Sequence, residues 1–103
     1  MTRHLLSPLS ELPLGEGRCF EVRGRTLAVF RTRQGALFAT QAACPHRGGP
    51  LVDGILAGET VVCPLHEHRF ALGTGRCEGE GTDLAVYPVR VGVDGRIEVE
   101  VPG

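Results

Sequence analysis

Apolar residues recur at every second position near the end of the chain, which is the pattern of a half-buried β-strand. Residues 89–93 and 97–101 carry valine or isoleucine at alternate positions, with polar residues or glycine between them. The Asp94-Gly95 pair that separates these stretches favours a tight turn. The pattern therefore predicts a β-hairpin with one apolar face.

Earlier segments also predict strands, separated by glycine turns at Arg23-Gly24 and Gln34-Gly35. Residues before position 18 are interrupted by proline and glycine and predict only a short turn of helix around Ser7–Glu11. Fifteen glycines and seven prolines fit a protein with many turns. The fold class expected is all-β. The predicted strands before the hairpin are Arg18–Val22, Thr26–Arg33, Ala36–Gln41, Ile55-Leu56, Thr60–Val62 and Phe70–Leu72.

Length and charge further limit the class of protein that this chain can be. A chain of 103 residues with 42% hydrophobic residues is expected to form a single domain, residues 1–103. The net charge of −1 argues against a nucleic-acid-binding protein, which usually carries a basic face. No apolar run approaches the ~20 residues that cross a bilayer, and Pro8 and Pro13 interrupt the start of the chain, which lacks a secretory signal pattern. We expect a cytoplasmic protein without a membrane partner.

Two short motifs carry the candidate chemistry. Cys44-Pro45-His46 and Cys63-Pro64-Leu65-His66 each offer one thiolate and one imidazole from a turn that contains proline. Two such turns brought together would supply four metal ligands. Zinc accepts two Cys and two His, but zinc fingers usually pair Cys with Cys and His with His along the chain. A [2Fe–2S] cluster suits the mixed order, with both Cys on one iron and both His on the other.

The residues around these motifs resemble the Rieske family of [2Fe–2S] proteins. They read CPHRGGPL at 44–51 and CPLHEHRFALGTG at 63–75. The resemblance implies a Rieske-type antiparallel β-sandwich with a cluster-binding subdomain inserted at about residues 43–76. It also implies one [2Fe–2S] cluster per chain, with Cys44 and Cys63 on one iron and His46 and His66 on the other.

The resemblance also bears on the reduction potential. Two neutral imidazoles in place of two thiolates raise it, to roughly −150 to +300 mV. High-potential relatives in respiratory complexes add a disulfide between the two loops, and hydroxyl groups that donate hydrogen bonds to the sulfurs. The corresponding positions here are Gly49 and Leu65 for the disulfide, and His68 and Phe70 for the hydroxyls. A potential near the low end of the range is therefore expected.

The resemblance implies an electron carrier that is not catalytic alone, since the chain contains no second cofactor motif. The segments LAVFRTRQGALFA (27–39) and VYPVRV (86–91) favour the small subunit of a cytoplasmic NAD(P)H nitrite reductase, an oxidoreductase with a large sirohaem and flavin subunit. One alternative is the ferredoxin component of an aromatic-ring dioxygenase, placed between a flavin-containing reductase and an oxygenase. An alternative of another class is a non-redox structural subunit holding zinc or no metal.

Three further residues are expected to have secondary roles. His68 is expected to cover the cluster as a loop residue rather than to ligate it, and Glu67-His68 departs from the Gly-Trp or Asn-Trp pair common in the two groups. Cys19, within a predicted strand, is expected to be a small packed residue. Cys77, in a glycine-rich turn, is expected to be a spare thiol.

Overall fold

The computed structural model describes residues 1–46, 48–65 and 68–103. Within these ranges the chain forms three antiparallel β-sheets and two short 3₁₀ helices, Leu9–Glu11 and Leu51–Asp53. The strand orders are β1-β11-β10, β2-β3-β4-β9 and β5-β6-β7-β8. The all-β prediction is confirmed. The strands are β1 Thr2–Pro8, β2 Glu16–Val22, β3 Arg25–Arg31, β4 Leu37–Gln41, β5 Ile55–Ala57, β6 Thr60–Val62, β7 Arg69–Ala71, β8 Cys77–Glu78, β9 Val86–Tyr87, β10 Val89–Val91 and β11 Arg96–Val101.

Strand β3 is buried on both faces and joins two hydrophobic cores. Successive side chains of a strand point to opposite faces. Ala28 and Phe30 contribute to a core that also contains Cys44, Cys63 and Phe70, which we call the cysteine core. The other face of β3 contributes to a second core, which we call the base core. This arrangement explains the continuous apolar run at residues 27–30, because neither face of the strand meets water.

The base core lies between β3 and the sheet formed by both chain ends. Ile97, Val99 and Val101 of β11 are fully buried in it. The predicted hairpin of β10 and β11 is confirmed, but the apolar face of its first strand is only partly buried, since Val89 packs against the base core whereas Val91 and Val93 are exposed.

Strand β1 was not predicted from the sequence. It pairs antiparallel with β11 from Thr2 opposite Val101 to Pro8 opposite Arg96. Its inward positions include half-buried Thr2 and His4, whereas Leu5 is exposed. Leu6, on the same face as His4, packs against the base core, but the alternation of apolar and polar residues is incomplete, and pairing with a distant strand forms β1 instead.

The third sheet contributes Val61, Phe70 and Cys77 to the cysteine core. Val61 of β6 pairs with Phe70 of β7, which pairs in turn with Cys77 of β8. Val61 and Phe70 are fully buried. The three predicted short strands of this region are present, and residues 63–68 connect β6 to β7.

The two remaining cysteines differ in burial from what the sequence predicts. Cys19 lies in β2 as predicted but is exposed rather than packed. Cys77 is buried in β8 rather than lying in a turn. Across the described ranges, no helix is long and apolar enough to span a membrane.

Candidate metal centre

The first candidate loop is a tight turn closed by backbone hydrogen bonds. The Cys44 N–H donates to the Gly49 carbonyl at 2.8 Å, and the Gly48 N–H donates to the Cys44 carbonyl at 2.7 Å. Gly48 has φ +72°, a left-handed conformation in which glycine is favoured. An antiparallel bridge between Ala43 and Pro50 closes the base of the loop. This closure fixes Cys44 beneath the turn, where it is only 2% exposed.

The second loop joins β6 to β7. The Cys63 N–H donates to the His68 carbonyl at 2.8 Å, which closes the loop at its base. Cys63 is 1% exposed. A Cβ atom built on Gly49 would lie 3.2 Å from Cys63 Sγ and 3.0 Å from Leu65 Cδ1. The two loops therefore pack directly on each other, with Leu65 lying over Gly49.

Imidazole and thiol groups meet between the loops. The His46 Nδ1 atom lies 3.6 Å from Cys44 Sγ. The His68 ring is stacked on the His46 ring, with centroids 3.7 Å apart and an interplanar angle of 4°. Phe70 approaches His46 at a centroid distance of 5.9 Å. The candidate ligand atoms of Cys44, His46 and His68 all lie within 4.8 Å of one another.

A third segment covers the outer edge of His46. Gly81 has φ +147°, and a Cβ atom built on it would overlap His46 Nε2 and lie 3.3 Å from Cys77 Sγ. The Asp83 carboxylate accepts a hydrogen bond from the Cys77 N–H at 2.8 Å, which holds this segment against β8. Sequence reasoning missed Gly81 and Asp83. The available signal was the density of glycine and acidic residues at 78–83.

Three of the four sequence-predicted ligands lie in this region. Cys44 and Cys63 belong to the same buried core, and His46 lies beside Cys44. The fourth predicted ligand, His66, lies outside the described residues, as does Glu67. Buried thiols beside an imidazole form a soft donor set of sulfur and nitrogen, which suits zinc or an iron–sulfur cluster. The residues present therefore fit a [2Fe–2S] cluster with mixed ligands.

The pKa of the Cys77 thiol is raised, first by burial and then by the carboxylates of Asp83 and Glu78. Cys77 is therefore a protonated thiol at neutral pH. Its buried side chain belongs to the cysteine core together with Cys44 and Cys63.

The chain matches known proteins over most of its length. The model of the Rieske [2Fe-2S] domain matches residues 2–89. The ferredoxin component of the naphthalene 1,2-dioxygenase system of Pseudomonas aeruginosa is 35% identical over 85 residues, covering 81% of each chain.

Two solved structures resemble the whole chain. One, assigned as the small subunit of an NADH-dependent nitrite reductase from Mycobacterium tuberculosis, has a TM-score of 0.90 and 27% identity, covering 99% of this chain and 97% of that one. The other is the ferredoxin of carbazole 1,9a-dioxygenase from Nocardioides aromaticivorans. It has a TM-score of 0.85 and 27% identity, covering 96% of this chain and 97% of that one.

Proposed function

Since this chain belongs to the Rieske [2Fe–2S] family and is an electron-transfer protein carrying that cluster, we propose that Cys44 and Cys63 ligate one iron and that His46 and His66 ligate the other. The observation that supports this assignment most directly is the approach of His46 Nδ1 to Cys44 Sγ at 3.6 Å, beside the loop that carries Cys63. We further propose that residues 43–76 act as the cluster-binding subdomain of a single domain, residues 1–103.

The chain's own residues have three tasks in electron transfer. The bound cluster supplies one-electron oxidation and reduction. Leu51 and Phe70, both fully buried, exclude water from the side facing the cysteine core. The closed turns position the two thiols, and His46 lies on the more accessible side, since it is half-buried whereas Cys44 is buried. A route for the electron through the histidine side follows from this asymmetry.

We propose a reduction potential near the low end of the Rieske range, roughly −150 to +300 mV. Phe70 lies near His46 and has no hydrogen-bond donor to offer a sulfur. Gly49 and Leu65 lie against each other but neither is a cysteine, so no disulfide can join the two loops at these positions. Hydrogen-bond donors around the sulfurs raise the potential, so their absence at Phe70 lowers it.

The ligand assignment is tested by substitution. Cys44→Ser and His66→Ala are each expected to abolish the normal cluster, because each removes a ligand from one iron. The measurements are iron and sulfide content, the visible absorption spectrum and electron paramagnetic resonance of the reduced protein. Cys19→Ser, which removes an exposed thiol, is the control and should retain all three signals. A Cys44→Ser protein with the wild-type spectrum would contradict the assignment.

For the redox partner we propose a nitrite reductase of the NAD(P)H type, in which this chain is the small subunit. The whole-chain likeness to the Mycobacterium tuberculosis structure supports this choice. A second candidate, the ferredoxin of a ring-hydroxylating dioxygenase, is favoured by the 35% identity to the Pseudomonas aeruginosa protein. In both cases the chain exchanges electrons with protein partners and is not catalytic alone.

Affinity purification from the source cells separates these partners. Sirohaem in the co-purified protein supports the nitrite reductase, whereas non-haem iron in a large oxygenase supports the dioxygenase. A colourless protein that contains zinc would contradict both and indicate a structural subunit.

A further inference from the structure

His68 connects the two candidate loops through its ring as well as its backbone. Its carbonyl accepts the hydrogen bond from the Cys63 N–H that closes the second loop. Its imidazole lies face to face on His46 of the first loop, at a centroid distance of 3.7 Å. One residue thus anchors its own loop and contacts a proposed ligand of the other.

Distance alone would allow His68 to be a metal ligand. Its ligand atom lies within 4.8 Å of those of Cys44 and His46, which is close enough for a single ion. The orientation of the rings argues against this in the arrangement described. The lone pair of an imidazole nitrogen lies in the plane of the ring, and the two planes are within 4° of parallel. Parallel planes separated by a stacking distance do not meet, so one ion cannot lie in both.

We propose that His68 is a positioning residue, whose stacked ring holds the His46 imidazole in the orientation that ligation requires. The inference rests on the proposed role of His46 as a ligand. Contacts on further sides of His46 support it, since Gly81 lies against Nε2 and Phe70 lies near the ring at an angle of 33°. Rotation of a histidine ring about its last side-chain torsion has only broad minima, so neighbouring groups must set its direction. Partners that orient a metal ligand strengthen its binding.

The size of the effect follows from the energy of stacking. Aromatic pairs contribute enough to change an equilibrium by roughly two- to tenfold. We therefore expect His68→Ala to increase the rate of cluster loss to an excess of chelator by about two- to tenfold. The electron paramagnetic resonance lines of the reduced cluster should broaden, because the His46 ring would sample more than one orientation.

The experiment compares cluster-loaded wild-type protein with three variants of His68. His68→Phe keeps a flat ring and is expected to restore both the rate and the line widths. His68→Leu fills the space without a ring and is expected to behave like His68→Ala, which provides a second test should the alanine variant fold poorly. His4→Ala is the matched control, since His4 lies in β1, outside the cluster loops. The readouts are the loss of visible absorbance and the signals of the ligating nitrogens in pulsed electron paramagnetic resonance.

Each outcome decides the matter. Faster cluster loss in the alanine and leucine variants, with rescue by phenylalanine and two histidine nitrogens in every variant, supports the positioning role. Equal rates in wild type and His68→Ala overturn it. Loss of one nitrogen signal in all three His68 variants also overturns it, because His68 would then be a ligand. A wild-type protein without iron and sulfide would overturn the proposed function itself. This failure is distinguishable from failure of the positioning role, because it is measured on the wild-type protein and needs no variant.

Discussion

Cys19 and Cys77 differ in accessibility although the pKa of each thiol is raised. Burial is the first cause for both thiols, followed at Cys19 by the carboxylates of Asp53 and Glu21. The Cys19 side chain is nevertheless exposed, whereas Cys77 is buried. Because the thiolate is the nucleophile, a raised pKa lowers reactivity at neutral pH without preventing access.

We expect iodoacetamide to alkylate Cys19 faster than Cys77 in the cluster-loaded protein, and both rates to be low at pH 7. The rate at Cys19 should still be rising at a pH where an ordinary thiol is already largely ionised, because the pKa of Cys19 is raised. Asp53→Asn removes a neighbouring charge and should accelerate alkylation at pH 8 by roughly two- to fivefold. Mass spectrometry of the modified peptides measures the rates.

Glu59→Gln is the control for this series, since Glu59 is not among the causes of the raised pKa of Cys19. An Asp53→Asn variant that reacts no faster than Glu59→Gln would contradict the electrostatic explanation.

At the scale of elements, the segment that follows β8 has its own requirement for glycine. Gly79 and Gly81 both have positive φ, at +91° and +147°. A Cβ atom at Gly79 would meet nothing within 4 Å, whereas one at Gly81 would overlap His46 Nε2. Substituting the two glycines in turn therefore distinguishes the effect of backbone strain from the effect of contact with His46.

Gly79→Ala should lower the free energy of unfolding by about 1–3 kcal/mol through backbone strain and leave the cluster spectrum unchanged. Gly81→Ala should carry a similar strain and in addition displace His46, altering the visible circular dichroism of the cluster and shortening its lifetime. Denaturant unfolding and visible circular dichroism test both effects. Identical spectra in the two variants would show that the overlap with His46 is relieved without consequence.

The elements predicted from the sequence are those whose signals are local. The hairpin of β10 and β11 and the buried run in β3 are visible in the order of apolar residues alone. Strands β1 and β9 depend on pairing with β11 and β4, which lie far along the chain. They were therefore missed.

The same distinction applies to the candidate site. Cys44, His46 and Cys63 follow as candidate ligands from motif spacing, because each turn holds its own proposed ligands. The stacking of His68 and the overlap at Gly81 arise where separate segments meet in space. The order of residues along the chain does not show which distant segments come into contact in the fold.

For the whole molecule, the two cores predict unequal responses to cluster removal. Cys44 and Cys63 belong to the cysteine core, whereas none of the proposed ligands within the described ranges (Cys44, His46 and Cys63) belongs to the base core. Since metal binding and folding are coupled, loss of the cluster should loosen the loops and the sheet formed by β5–β8. The sheet formed by β1, β11 and β10 should keep its structure.

Amide hydrogen exchange of loaded and cluster-free protein measures this difference. We expect faster exchange across 44–78 by an order of magnitude or more, with little change in β1 and β11. Equally accelerated exchange in β11 would contradict the independence of the base core.

Because β3 is apolar on both faces, a shift by one residue would exchange the side chains that face the two cores while leaving both faces apolar. Its alignment therefore depends on the turns at its ends. Arg23 and Gly24 both have positive φ there, and the Thr32 N–H donates to the Ala36 carbonyl at 2.9 Å. A peptide tag inserted at either turn would put the alignment of both cores at risk. The turn at 92–95 joins two strands of another sheet and is the safer position for a fluorescent label or an immobilisation tag.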